Sequence, residues 1–363
     1  MQATRPSARI AVVRRALLFI ALVVGACGDD RAEEAPQAVS QAAVVGPKVA
    51  LLSTRPGATE TELRLQPIGA STPSAPVGHV PHVADGTVRG ALLGDGVVVV
   101  ADAERRRDPS FGAWLYRLRP GAPAAKLVSG VVHAARPWVT AEGTVLVERG
   151  EAGPETDGQL RTDSLTVDEI APETGAARTV HAFSGYATHI AGVTGKEVLL
   201  YRVAWQHADL VAVRIDTGTL RPLLAEMPAF ARDFSVDADG ARVVFTNRDA
   251  QGWVVQAVPL AGGTASELVR VGGMWATPHA FPGGGVLLND GRGATVVGGN
   301  SALSRPLGPG FDELRAATDE WAVLEHHVPS DFSTPFAVEL KTGAVQPLAA
   351  PRGVRIDVAG VLP

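Results

Sequence analysis

The sequence predicts an all-β fold built from repeated antiparallel sheets, and three observations predict it. Apolar residues fall in short runs, and helical periodicity is nearly absent. Glycine (40) and proline (26) punctuate those runs as turn residues. Pairs of similar runs recur with a period near 40 to 50 residues. At 363 residues the chain would make roughly two domains of average size, about 150 residues each. The even spread of the runs instead favours one large all-β body, a class that commonly exceeds that average.

The repeat has identifiable parts. The apolar strand cores are "VALLS" at 49, "VVVVA" at 97, "VLVER" at 145, "VLLYR" at 198, "VVFTN" at 243, "VLLND" at 286 and "AVLEH" at 322. Their spacings are 48, 48, 53, 45, 43 and 36 residues. Each core is followed by a second strand that ends at a glycine turn, as in "WLYRLRPG", "LVAVRIDTG" and "FAVELKTG". A further short strand often follows, as in "RPLLAE" and "VQPLAA". Units of about four strands at this period predict a single β-propeller. The count points to seven blades of four antiparallel strands, with six or eight as alternatives. Only "DELRAA" after Phe311 tempts a helical reading, and it is too short. The first unit lacks an innermost strand, because only tether precedes Lys48. The C-terminal "GVRIDVAGVLP" aligns with "ARDFSVDADG" of a middle unit. The C-terminal strand is therefore predicted to complete the first blade and close the ring, which removes exposed sheet edges.

The N-terminus carries a different signal. A basic segment ending in Arg14-Arg15 leads into "ALLFIALVVGA" and then Cys27, the only cysteine. The apolar run is short for a bilayer span and reads as the core of a signal peptide. "VGAC", residues 24 to 27, resembles the lipobox of bacterial lipoproteins. The resemblance implies cleavage after residue 26, acylation of Cys27 and membrane attachment through its acyl chains. Gly28 stands where an aspartate would act as the usual inner-membrane retention signal, so the resemblance favours the outer membrane. Residues 27–47 then form the lipidated cysteine and a flexible tether rich in Ala, Glu, Gln and Pro, and 48–363 form the propeller. The first 26 residues hold four arginines and no acid, so the −5 of the whole chain becomes −9 for the rest. That acidity argues against nucleic acid as the main partner.

The unit "VDADGARVVFTNRDAQGWVVQAVPLAGGTASELV" resembles the TolB-type, WD-repeat-like propeller unit. That family's unit has a Ser-Pro-Asp-Gly turn, an apolar strand, an Asp-x-x-x-Gly hairpin and a closing leucine, and here Val236-Asp237-Ala238 replaces the Ser-Pro. "VAVRIDTGTLRPLL" and "FAVELKTGAVQPLA" match its second half. The resemblance implies a cell-envelope domain that docks protein partners. The turn itself, Asp237-Ala-Asp239-Gly240, lacks the further oxygen donors and downstream glutamate of a calcium loop. It is expected to bend the chain and to hold no metal.

Candidate site residues follow from aligning the units. At or just before the innermost strands lie Arg89, Arg136, His189, Asp233, Thr277, Arg315 and Arg355. Innermost strands line the central channel, so these residues are expected near one mouth of it. Four arginines there suit a carboxylate or phosphate through bidentate contacts. The competing reading pairs them with acids such as Asp233, Glu313 and Asp357, or leaves them as solvated strand ends. His79 and His82 flank Pro81, which prevents a helical two-histidine metal face. His326 and His327, near Glu325 and Asp331, are adjacent in a strand and point to opposite faces. Catalysis would need a paired base and nucleophile, and Asp233 with His189 is the one candidate. The tryptophans, about one per unit (114, 138, 205, 253, 275 and 321), are expected between blades. The leading expectation is a non-enzymatic protein-binding or scaffolding lipoprotein of the envelope, without cofactor. The alternative is small-molecule, anion or glycan binding, or a degenerate hydrolase, at the arginine-lined mouth.

Overall fold

In the computed structural model of the chain, every regular element among the described residues is a β-strand. The structure describes residues 46–363, apart from 105–111, 151–164, 184–186, 205–206, 229–230, 238–240, 273–275, 282–284, 290–293, 298–310 and 328–333. The expected leader, Cys27 and most of the tether therefore lie outside the described residues.

The strands fall into sets that follow one another along the chain. The first holds β1 (Lys48–Thr54), β2 (Glu60–Pro67) and β3 (Pro76–Pro81). The second holds β4 (Val88–Leu93), β5 (Gly96–Asp102), β6 (Ala113–Leu118) and β7 (Ala125–Val131). The third holds β8 (Trp138–Val139), β9 (Val145–Arg149), β10 (Leu165–Ile170) and β11 (Ala177–Phe183). The fourth holds β12 (Ala187–Thr194), β13 (Glu197–Ala204), β14 (His207–Arg214) and β15 (Leu220–Leu224). The fifth holds β16 (Arg232–Asp237), β17 (Arg242–Asp249), β18 (Gly252–Pro259) and β19 (Ser266–Val271). The sixth holds β20 (Thr277–Phe281), β21 (Gly285–Asn289) and β22 (Ala294–Val297). The seventh holds β23 (Phe311–Ala317), β24 (Trp321–His327), β25 (Thr334–Glu339) and β26 (Val345–Pro347). The last strand, β27 (Arg355–Leu362), joins the first sheet. All pairings within sets are antiparallel meanders, and one pair, Val131 with Arg149, links the second and third sets into a longer sheet.

Closure by the C-terminus is explicit. Strand β27 runs antiparallel to β1 from Lys48 opposite Leu362 to Thr54 opposite Arg355. The first sheet has the order β27-β1-β2-β3, with its innermost strand supplied from the far end of the chain. Innermost strands then contact one another around a centre, β27 against β4 and β23, β12 against β16, and β16 against β20. This is a β-propeller. The segment tempting as a helix, "DELRAA", lies within strand β23.

Period-two alternation explains why the strand cores read as unbroken apolar runs. Strand β5 is buried along its whole length. Val97 and Val99 pack toward Ala50 and Leu52 of the first set, while Val98 and Val100 pack toward Val145 and Val147 of the third. Both faces are covered by neighbouring sheets, so neither can be polar. The same logic packs Leu199 and Tyr201 against Val243 and Phe245. Tight spots between inner strands demand glycine. A Cβ at Gly192 would sit 2.2 Å from Val236 Cγ2, and one at Gly90 would sit 2.6 Å from Leu52 Cδ1.

The chain enters the ring at Gly46 and Pro47, next to Lys48. Seven residues of β1, about 20 Å at the usual strand rise, separate that entry from Thr54 and Arg355 at the other end.

Candidate functional site

The site is organised by the closing strand. Alternation along β27 turns Ile356 and Val358 toward the seventh set. It turns Asp357 and Ala359 the other way, toward β4. Asp357 is 4% exposed, too buried to stay charged without partners. It has three. Its Oδ2 accepts the Gly90 N–H at 3.0 Å, and its Oδ1 accepts from Arg136 Nη2 at 3.0 Å and Arg89 Nη1 at 3.4 Å. Arg136 also donates to the carbonyls of Gly90 (3.4 Å) and Val358 (3.3 Å). The glycine at position 90 is what lets the backbone come this close, since a Cβ there would also meet Ala359 at 3.0 Å.

A second buried acid lies nearby. Glu325 of β24 is 2% exposed and accepts from Arg315 Nε at 2.5 Å. The third arginine is held from outside. Arg355 Nη2 lies 3.5 Å from Asp85, which also takes the Gly57 N–H at 2.9 Å. Arg89, Arg315 and Arg355 come from three inner strands and line one cavity of about 240 Å³, together with Glu325, Asp357, Thr54, Leu52 and Ile356. Arg89 and Arg355 remain more than a third exposed and carry donors beyond those their acids take.

Behind Thr54 runs a short hydrogen-bond chain. Its hydroxyl lies 2.5 Å from that of Thr61, which lies 2.9 Å from His82 Nε2. His82 Nδ1 lies 2.7 Å from the Val83 carbonyl. The carbonyl can only accept, so Nδ1 carries a hydrogen; when it is the ring's single hydrogen, Nε2 accepts from Thr61. Thr61 must then accept from Thr54.

The remaining expected residues are placed elsewhere. Arg136 joins the cavity only through Asp357. His189 does not meet Asp233. Its Nδ1 lies 3.9 Å from Glu148, whose other carboxylate oxygen takes the Ile190 N–H at 2.5 Å. Burial pushes the Glu148 carboxyl above its ordinary range, against the pull of His189 and that N–H. Asp233 has a left-handed backbone (φ 53°) and lies 3.0 Å from Arg232 Nε. Thr277 stands at the start of β20, opposite Asn289. Two positions along that strand, His279 is held down to about 4 by burial and by the charge of Arg136. Arg315 is placed differently from the alignment. Strand β23 begins at Phe311, and Arg315 sits at a β-bulge between Leu314 and Ala316.

The other sequence candidates have structural company. Asp237 accepts from Arg242 Nε at 2.8 Å, while Asp239 lies outside the described residues. His79 is exposed on β3. The side chains of Glu313, His326 and His327, and all of Asp331, lie outside the described residues. Among those described, no group of three potential metal ligands occurs. Trp138 and Trp321 pack against inter-sheet clusters, and Trp114 lies under Lys126 Nζ at 2.9 Å. Trp253 faces Arg232 (4.6 Å) and Arg248 (5.5 Å) beside a wider concavity of about 630 Å³. Trp205 and Trp275 lie outside the described residues. The sequence missed Glu325 and Thr54 as cavity residues. The signal for both was a polar residue ending an otherwise fully buried strand run.

Fold and geometry together define a closed β-propeller with a charged cavity at one mouth of the ring. No family model matches the chain, and neither does any curated protein. Solved structures do. A prolyl endopeptidase is 14% identical with a TM-score of 0.55, over 86% of this chain and 50% of that one. A puromycin-hydrolyzing peptidase of Mycobacterium tuberculosis is 16% identical with a TM-score of 0.50, over 84% and 54%. TolB of Acinetobacter baumannii is 13% identical with a TM-score of 0.49, over 87% and 67%. At such identities the likeness shows the fold alone. The chain spans about half the length of the two peptidases.

Proposed function

We propose that the protein is a non-enzymatic docking module of the bacterial cell envelope. In this reading acyl chains on Cys27 hold it to a membrane, the outer one by the residue at position 28, and the propeller mouth binds a protein partner. The observation that carries the reading is the convergence of Arg89, Arg315 and Arg355, from three separate inner strands, on one cavity. Asp357 meets Arg89 and Asp85 meets Arg355, so the donors these two keep are pre-organised for an incoming acceptor. The volume, about 240 Å³, falls below the several hundred usual for a drug-sized ligand. That favours one charged group of a larger partner over a whole small molecule. The chain entry near Lys48 is at the opposite end of β1 from Thr54 and Arg355.

Two measurements test this. Mass spectrometry of the mature N-terminus should find an acylated Cys27, and Cys27→Ala should move the protein into the soluble fraction. Mild cross-linking in native membranes should yield one recurring protein adduct, lost in Arg355→Glu. An adduct that survives Arg355→Glu at full yield would remove the mouth from the account.

A further inference from the structure

The cavity has two chemical sides, and together they select more than a generic anion. Its described lining offers three guanidiniums against two carboxylates, which leaves one net positive charge. A single negative charge balances that, and a dianion such as phosphate overshoots it. The other side consists of acceptors. Asp357 and Glu325 are already engaged by arginines and, for Asp357, by the Gly90 N–H, so the acceptor that faces an incoming donor is Thr54. The Thr54 hydroxyl hydrogen is committed inward, because Thr61 gives its own hydrogen to His82 and must accept from Thr54. Thr54, 6% exposed, therefore keeps only acceptor capacity. A fitting ligand carries one carboxylate with an N–H donor a few ångströms away.

We propose that the cavity captures the C-terminal carboxylate of a protein partner, with the last backbone N–H of that partner facing the acceptor side. Every peptide end has this pair of groups at fixed separation, and a monoanion with one N–H matches the cavity better than a zwitterion does. A free ammonium would need a carboxylate with lone pairs to spare, and Asp357 already accepts three N–H groups. Arg89 and Arg355 are the donors with capacity left for the carboxylate, a geometry guanidinium suits. The inference rests on the docking reading above and names the part of the partner that is read.

Three small probes test it by ligand-observed NMR titration against the intact propeller. N-acetyl-Ala-Ala has both groups, its C-terminal amide lacks the carboxylate, and N-acetyl-Ala-lactate replaces the last N–H by an ester oxygen. The free acid should bind, and the other two should each bind about tenfold or more weakly, as loss of a charge-assisted contact implies. Arg355→Gln should weaken the free acid by a similar factor, while Arg214→Gln on the outer rim should leave it unchanged. Thr54→Val should narrow the gap between the acid and the lactate ester. Equal binding of acid and amide, equal binding of acid and ester, equally tight inorganic phosphate, or no binding by the free acid would each overturn the proposal. If the probes fail while the cross-linked adduct still depends on Arg355, docking stands and C-terminal capture falls. If both fail, the docking reading falls with it.

Discussion

Arginines at the mouth and arginines on the outer strands make the same kind of pair under different physics. On the outer strands Arg214 grips Asp216 through Nε and Nη2 at 3.0 and 2.6 Å, and Arg221 grips Glu197 at 2.9 and 2.7 Å. Asp216 is held down to about 2, first by its hydrogen bond to Arg214. Both members of the Arg214 pair stand in solvent, where screening and side-chain entropy cancel most of the gain. At the mouth the acids are buried, while the arginines range from mostly buried (Arg315) to more than a third exposed (Arg89). The energetic weight lies in the buried acid, which must be paired, while Arg89 keeps donors for something else. Burial of the acid, and not the length of the contact, separates the pairs of the site from those on the outer strands.

Several substitutions sharpen or break that contrast. Asp357→Ala should have the largest effect. It leaves Arg89 and Arg136 without their shared acid and the Gly90 N–H without an acceptor, an expected loss of about 3–5 kcal/mol in denaturant unfolding. Next comes acid. His279 is neutral in the fold down to about pH 4 but takes a proton in the unfolded chain near 6.5. Stability should therefore fall as pH drops from about 6.5 toward 4, by at most roughly 3 kcal/mol from this group. His279→Gln should flatten that slope. Glu148 works in the other direction, since a raised carboxyl costs stability as pH rises through its folded value. Gly192→Ala should cost about 1–3 kcal/mol, because the new Cβ lands 2.2 Å from Val236 Cγ2 and two inner strands must part. Arg214→Ala should produce no measurable change in the unfolding midpoint. A large loss there would erase the distinction between rim and mouth.

The fold was legible because its determinants are local and repeated. Runs such as Val97–Ala101 must be covered on both faces, and only neighbouring sheets can do that at this spacing. Ring closure was legible because β1 had no inner neighbour and the C-terminus carried a matching spare strand. The site was legible only in part. Arg89 and Asp357 are 268 positions apart, and no local pattern announces that they meet. Arg315 lies at the bulge of β23, the position that Ala191 takes in β12 and Ala359 in β27, so an alignment by charged residues put it too near the strand start. His189 was linked to Asp233 as the inner-strand pair that could serve catalysis. The partner it finds, Glu148, comes from a neighbouring set and left no mark in that alignment.

The central claim is that the protein meets its partner at the mouth and not on the rim. Site-specific photo-cross-linking in native membranes tests it most directly, with the reactive group placed at position 355 in one sample and at position 214 in another. A single protein adduct is expected from position 355 and none from position 214. An adduct formed from position 214 with position 355 silent would contradict it.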